Sequence, residues 1–127
     1  MGLSGFISIG VGAVFGAWLR WWLAIVLNPV LPSLPLGTLV VNLLGGYLIG
    51  LALGCFEHAQ TLAPEIRLLI TTGFLGSLTT FSAFSAEATA HLLRHDYGWA
   101  ALIIAGHVLG SLLMTALGFG TVALLRD

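Results

Sequence analysis

Four long apolar runs, separated by a few polar residues each, leave this chain little freedom in what it can fold into. The first runs from about Gly5 to Leu27 and is closed by Asn28-Pro29, then Pro32 and Pro35. Proline lacks an amide hydrogen and biases the residue before it away from helix. The second extends from about Leu36 to Phe56 and stops at Glu57-His58. The third opens at Pro64-Glu65, a favourable helix start with a carboxylate in the first turn, and continues from 65 to about Arg94. The fourth covers about Gly98 to Leu125, ahead of Arg126-Asp127. Runs of this length match a helix crossing the roughly 30 Å hydrocarbon core of a bilayer. Composition agrees: 58% of the 127 residues are hydrophobic and 7% are charged, against about 25% charged in a soluble domain. The predicted fold is an all-α integral membrane protein, a single transmembrane domain over 1–127 with four transmembrane helices and lipid as its solvent.

The same features exclude several function classes. The formal net charge is −1, so nothing points to a nucleic-acid partner. Cys55 is the only cysteine; no disulfide can form within the chain, and a small buried hydrophobe is its expected role. The N-terminal run has no basic n-region and continues through Arg20 without a small-residue cleavage site, so it is predicted to be a retained helix. The loops leave no room for a soluble domain or a nucleotide-binding loop. No nucleophile–base pair or metal-ligand cluster appears, so an enzyme is not expected.

The third run is unusual. One straight helix over 65–94 would be about 45 Å long at about 1.5 Å per residue, longer than the hydrocarbon core. Its middle reads Thr71-Thr72-Gly73-Phe74-Leu75-Gly76-Ser77-Leu78-Thr79-Thr80-Phe81-Ser82, a poor helix core. Two readings stand: a continuous, tilted helix whose small residues serve packing, or a helix broken mid-membrane near 76–80. The composition favours the break, which membranes tolerate where freed backbone is buried in protein or lines a cavity. Glycines recur at four-residue spacing in Gly12 and Gly16, in Gly46, Gly50 and Gly54, and in Gly106 and Gly110, as seams for close helix packing.

Charge placement bears on orientation. The basic side chains are Arg20, Arg67, Arg94 and Arg126, and with four spans they divide evenly between the two sides. The positive-inside rule then gives almost no bias. A chain without bias can insert both ways, and two opposed copies can then assemble as an antiparallel, twofold-symmetric homodimer; a single orientation set by some other factor is the plainer reading.

Polar groups inside membrane spans are the default functional candidates. Here they are Arg20, Asn42, the Thr/Ser cluster of the third run, Glu87, His91, His107, Ser111 and Thr115. Phe81 and Phe84 share a helix face that Glu87 and His91 continue. His107, Ser111 and Thr115 follow at four-residue intervals. A polar stripe beside an aromatic stripe suits a narrow path for a small ion. Each residue also has a plainer role: hydroxyls bond back to helix carbonyls, paired phenylalanines form core, Arg20 snorkels, and His107 bridges helices. Glu87 needs a proton or a partner. The residues alone reach as far as a small channel or transporter.

The stretch Gly73-Phe74-Leu75-Gly76-Ser77-Leu78-Thr79-Thr80-Phe81-Ser82-Ala83-Phe84-Ser85-Ala86-Glu87 resembles the signature of the Fluc (CrcB) fluoride channels. Gly16-Ala17-Trp18-Leu19-Arg20-Trp21 resembles the family's first-helix arginine motif. Gly37-Thr38-Leu39-Val40-Val41-Asn42-Leu43-Leu44-Gly45-Gly46 is similar to its second-helix asparagine motif, and Gly110-Ser111-Leu112-Leu113-Met114-Thr115 to part of its fourth helix. The resemblance covers the whole chain in order. It implies an antiparallel dual-topology homodimer in the cell inner (plasma) membrane, with two fluoride pathways and a broken third helix, exporting fluoride passively. It implies that Phe81 and Phe84 turn electropositive ring edges to the anion, that Asn42 lies in a pathway, and that Arg20 serves a vestibule. It further implies a structural Na+ at the dimer interface, held by the backbone carbonyls of Gly76 and Thr79. The chain departs from the family at Ala83, where threonine is common, and at Ile103 and His107, where tyrosine and serine occur. Ser82, Ser85, Ser111 and Thr115 remain as hydroxyls for the polar track, with Glu87 and His107 beside them. The chemistry is consistent: fluoride leaving water needs N–H and O–H donors and aromatic edges.

The main rival is a small dual-topology, proton-coupled multidrug antiporter. That chemistry needs a membrane-embedded carboxylate. Glu87 is available for it, but the only charge on the first helix is Arg20. A structural subunit without transport activity is the other rival, and the polar face argues against it.

Overall fold

In a chain this apolar, backbone N–H and C=O groups must find partners within the chain, and a helix supplies them locally. The computed structural model describes residues 2–127, which are helical apart from short connections. Helix α1 is Leu3–Leu27, followed by a 3₁₀ turn at Asn28–Val30; α2 is Leu36–Phe56. The third run has two helices. α3 spans 64–78 and comprises an α-helical start Pro64–Leu68, a π-helical stretch Leu69–Leu75 and an α-helical end Gly76–Leu78; α4 is Phe81–Leu93. α5 is Tyr97–Arg126. Among the described residues, four segments are long and apolar enough to cross a membrane: Leu3–Val30, Leu36–Phe56, Pro64–Leu93 and Tyr97–Arg126.

The connections are held by side chains that satisfy helix ends. Asn28 Oδ1 accepts from the Thr38 amide at 3.2 Å, closing the α1–α2 turn. Arg67 donates to Ala59 O at 2.8 Å and lies 5.0 Å from the Phe56 ring centroid, closing the end of α2. Between α4 and α5 the chain turns at His95, whose φ is 62°, and the Asp96 amide bonds back to His91 O at 2.9 Å. Buried His91 donates from Nε2 to Ser33 O at 2.8 Å, tying that turn to the α1–α2 connection.

Glycine decides which helices touch. Gly12 and Gly16 of α1 lie against the backbone of Leu69, Gly73 and Phe74. Gly46, Gly50 and Gly54 of α2 lie against Ser111, Thr115, Gly118 and Val122 of α5. Both pairs therefore approach backbone to backbone, as small-residue seams permit. Gly118 completes the second seam although it stands outside the glycine rows apparent in the sequence. A small core of Val41, Leu75 and Leu78 joins α2 to α3, and a second, of Phe84, Ala88 and Ile103, joins α4 to α5. Trp18, Trp21 and Trp22 stand exposed on α1, as side chains facing lipid near its interface do.

Candidate functional site

Halfway along Pro64–Leu93 the helix stops for two residues. Thr79 (φ −82°, ψ 154°) and Thr80 (φ −147°, ψ 112°) are both extended. Thr80 then restarts the helix as the N-cap of α4, its Oγ1 accepting from the Ala83 amide at 3.2 Å, the favoured use of threonine at that position. The interruption frees peptide groups on both sides, and each unpaired one in an apolar surrounding is costly.

Three elements meet these groups. From α1, Arg20 Nε donates to Ser77 O at 2.9 Å; this arginine reaches into the interruption instead of only extending toward an interface. From α2, Asn42 clamps Thr80: Asn42 Oδ1 accepts from the Thr80 amide at 2.8 Å and Asn42 Nδ2 donates to Thr80 O at 2.9 Å. A side-chain amide presents the same donor–acceptor pair as a peptide, so Asn42 replaces the helical partners that Thr80 lacks. From α5, His107 Nδ1 lies 2.9 Å from Asn42 Nδ2. The carbonyls of Gly76 and Thr79 accept no hydrogen bond among the described residues. Free carbonyl oxygens suit a hard cation such as sodium.

These groups border one cleft of about 510 Å³, lined among others by Asn42, Gly76, Thr79, Thr80, Phe81, Phe84, His107 and Ser111. Phe84 is 8% exposed and packs against the His107 ring with centroids 4.8 Å apart. Phe81 is 77% exposed and meets Phe84 edge to face, centroids 5.3 Å apart at 75°. Phe81 also lines a second cleft of about 760 Å³ together with Ser82 and Ser85, both exposed.

Not every candidate joins them. Thr115, Arg20 and Glu87 line neither cleft. Glu87 Oε1 accepts from buried Thr38 Oγ1 at 2.6 Å, while its Oε2 is buried without a partner. The hydroxyls of α5 are turned inward along their own helix: Ser111 donates to His107 O, and Thr115 to Ser111 O at 3.0 Å. Thr38 is the working residue that sequence reasoning did not single out, and Thr80, one of the Thr/Ser cluster, gains a specific part as helix cap and clamped peptide. Thr38 stands one turn before Asn42 on the same face. Thr80 heads an apolar run in an N-cap pattern.

Comparison with known proteins adds to this geometry. Residues 7–119 match the family described as "CrcB-like protein, Camphor Resistance (CrcB)". A protein of Cupriavidus pinatubonensis (strain JMP 134 / LMG 1197), named fluoride-specific ion channel FluC, is 58% identical over 125 residues, covering 98% of this chain and 99% of its own. One of Nitrosospira multiformis (strain ATCC 25196 / NCIMB 11849 / C 71) with the same name is 58% identical over 122 residues, 96% of this chain and 95% of its own. One of Aromatoleum aromaticum (strain DSM 19018 / LMG 30748 / EbN1), again so named, is 50% identical over 117 residues, 92% and 89% respectively.

Proposed function

This chain belongs to the CrcB family, and from that membership and the geometry of the cleft we propose that it is a subunit of a fluoride-selective passive channel. The observation that carries the reading is one cleft where Asn42, Phe81, Phe84, His107 and Ser111 converge beside freed carbonyls. Fluoride is small and strongly hydrated. A dry path must offer it fixed donors and the positive edges of aromatic rings in place of water. Phe84 and Phe81, held edge to face, supply edges at two depths, one buried and one open. Ser82 and Ser85 offer hydroxyls along the second cleft. Ser111 reaches an anion by rotating its hydroxyl off the helix carbonyl, whereas Thr115, which lines neither cleft, lies further along the same row. Relatives spanning nearly the whole chain and named fluoride-specific ion channel support the choice of anion.

The working unit is an antiparallel homodimer with two pathways, the Thr79–Thr80 interruption lying mid-bilayer. Two observations support this. The arginines give little preferred orientation: Arg67 binds near the end of α2 and Arg126 beside His58, Arg94 stands near Asp96 past the far end of α4, and Arg20 is drawn in to Ser77 O at the interruption. Phe81 and Gly76 are exposed on the side of the cleft, where a second copy would close the path. A structural sodium ion fits on the twofold axis, held by the carbonyls of Gly76 and Thr79 from both copies and neutralising freed dipoles there. The channel resides in the inner (plasma) membrane and lets fluoride leave the cell down its gradient.

The test is efflux from proteoliposomes loaded with fluoride, read with a fluoride-selective electrode. Fluoride is expected to leave without an imposed proton gradient, and chloride to stay. Replacing sodium by a much larger cation is expected to suppress the flux. Retained fluoride under all these conditions sinks the channel reading, and equal flux in rigorously sodium-free medium sinks the sodium site alone.

A further inference from the structure

An anion stripped of water needs donors that are not already engaged, and around the cleft the buried donors are nearly all taken. The Thr80 amide is held by Asn42 Oδ1. The hydroxyls of Ser111 and Thr115 serve helix carbonyls. Asn42 itself has nothing left. A peptide N–H only donates and a peptide carbonyl only accepts, so its two bonds to Thr80 determine which end of the amide is nitrogen. That nitrogen carries two hydrogens. One goes to Thr80 O and the other to His107 Nδ1, at 2.9 Å each.

The consequence falls on His107. If Nδ1 accepts, the ring proton sits on Nε2. His107 is 4% exposed, lines the cleft, and its Nε2 has no hydrogen-bond partner among the described residues. A buried donor left without an acceptor is uncommon enough in folded proteins to require an explanation. The ring is also held in orientation, with Asn42 on one nitrogen and the Phe84 ring against its face.

We propose that the His107 Nε2–H, in a tautomer set by Asn42 and Thr80, is an anion-binding donor at the buried end of the cleft, where it takes dehydrated fluoride beside Phe84. The assignment rests on the cleft being an anion pathway. It gives this imidazole the task of a ligand and gives Asn42 a positioning task, since both amide hydrogens of Asn42 are committed elsewhere.

Two substitutions separate this from a purely structural role. Asparagine at 107 keeps an acceptor near the Nδ1 position and loses the donor at Nε2. Glutamine keeps a donor near the Nε2 position and loses the acceptor. Fluoride efflux per assembled protein is expected to fall about tenfold or more in His107→Asn, the size of losing a hydrogen bond to a charged group. His107→Gln is expected to recover most of that loss. A histidine that merely supports Asn42 gives the reverse ranking, and equal loss in both variants assigns His107 to packing; either result overturns the proposal. A second measurement reads the parent protein itself. In ¹⁵N-histidine-labelled parent protein, with the His107 signals assigned by their absence from His107→Gln, Nδ1 is expected unprotonated and Nε2 protonated. Fluoride, but not chloride, is expected to shift Nε2. A parent that carries no fluoride overturns the pathway reading itself. A parent that carries fluoride with an unmoved Nε2 signal overturns only the assignment to His107.

Discussion

Phe81 and Phe84 stand three residues apart and do different things. Phe84 is buried against His107 and belongs to the α4–α5 core, whereas Phe81 is open and touches Phe84 with an edge. Replacing either with isoleucine retains an apolar side chain and removes the positive ring edge. At Phe84 the exchange also disturbs packing, at a cost of about 1–3 kcal/mol; at Phe81 that cost is small in the single chain. If the edges meet the anion, both Phe81→Ile and Phe84→Ile are expected to lose most fluoride efflux while still eluting as the parent assembly on gel filtration. Parent-rate efflux from both well-assembled variants would falsify the aromatic-edge mechanism and leave the fold untouched. The same scale explains why Glu87 is a poor basis for proton-coupled exchange here. Its carboxylate is taken by Thr38 on one oxygen and enclosed on the other, away from both clefts.

At the level of helices, the fold depends on where backbones are allowed to approach. The α2–α5 seam is the clearest case. A methyl group added at Gly50 meets the backbone of Thr115, Gly118 and Phe119, none of which is a flexible side-chain end. Gly120, two residues beyond Gly118 on α5, has nothing within 4 Å of the same position. Gly50→Ala is therefore expected to destabilise by about 1–3 kcal/mol through overpacking. Gly120→Ala is expected to be neutral, or stabilising by up to about 1 kcal/mol from helix propensity. Thermal unfolding of the purified variants in detergent measures both, and matching transitions would mean that the seam is not closely packed. The π-helical stretch at Leu69–Leu75 belongs to the same argument: Gly12 and Gly16 let α1 press against it, immediately before the helix gives way at Thr79.

For the molecule as a whole, the proposed channel needs a second copy, facing the opposite way, to close the path. With Arg67 and Arg126 toward one end, Arg94 toward the other and Arg20 held at the interruption, charge gives insertion little preference. A reporter fused to the C-terminus is expected to be found on both sides of the membrane in similar amounts. Two or three lysines added at one end are expected to drive most copies to a single orientation and to suppress efflux. If nearly all parent copies face one way, the antiparallel dimer is ruled out for this chain. Lysine-biased copies that remain fully active would point to a parallel or monomeric channel.

The sequence by itself determined the spans, because the length of an apolar run against the thickness of a bilayer is a local property that needs no knowledge of neighbours. It also marked which residues deserved suspicion, since a polar group in an apolar run is conspicuous wherever the run packs. It left two readings of the third run. The extended residues Thr79 and Thr80 depend on a partner for their peptide groups, and that partner, Asn42, is 38 residues away from Thr80 on another helix. Arg20 reaching Ser77, 57 residues on, and Thr38 reaching Glu87, 49 residues on, were equally illegible. The free donor on His107 was the least visible of all. Its identity follows from a relay in which the Thr80 peptide orients the Asn42 amide and the Asn42 amide selects the imidazole tautomer. Hydrogen-bond direction passes between elements only once tertiary packing has brought them together, so no local pattern can carry it.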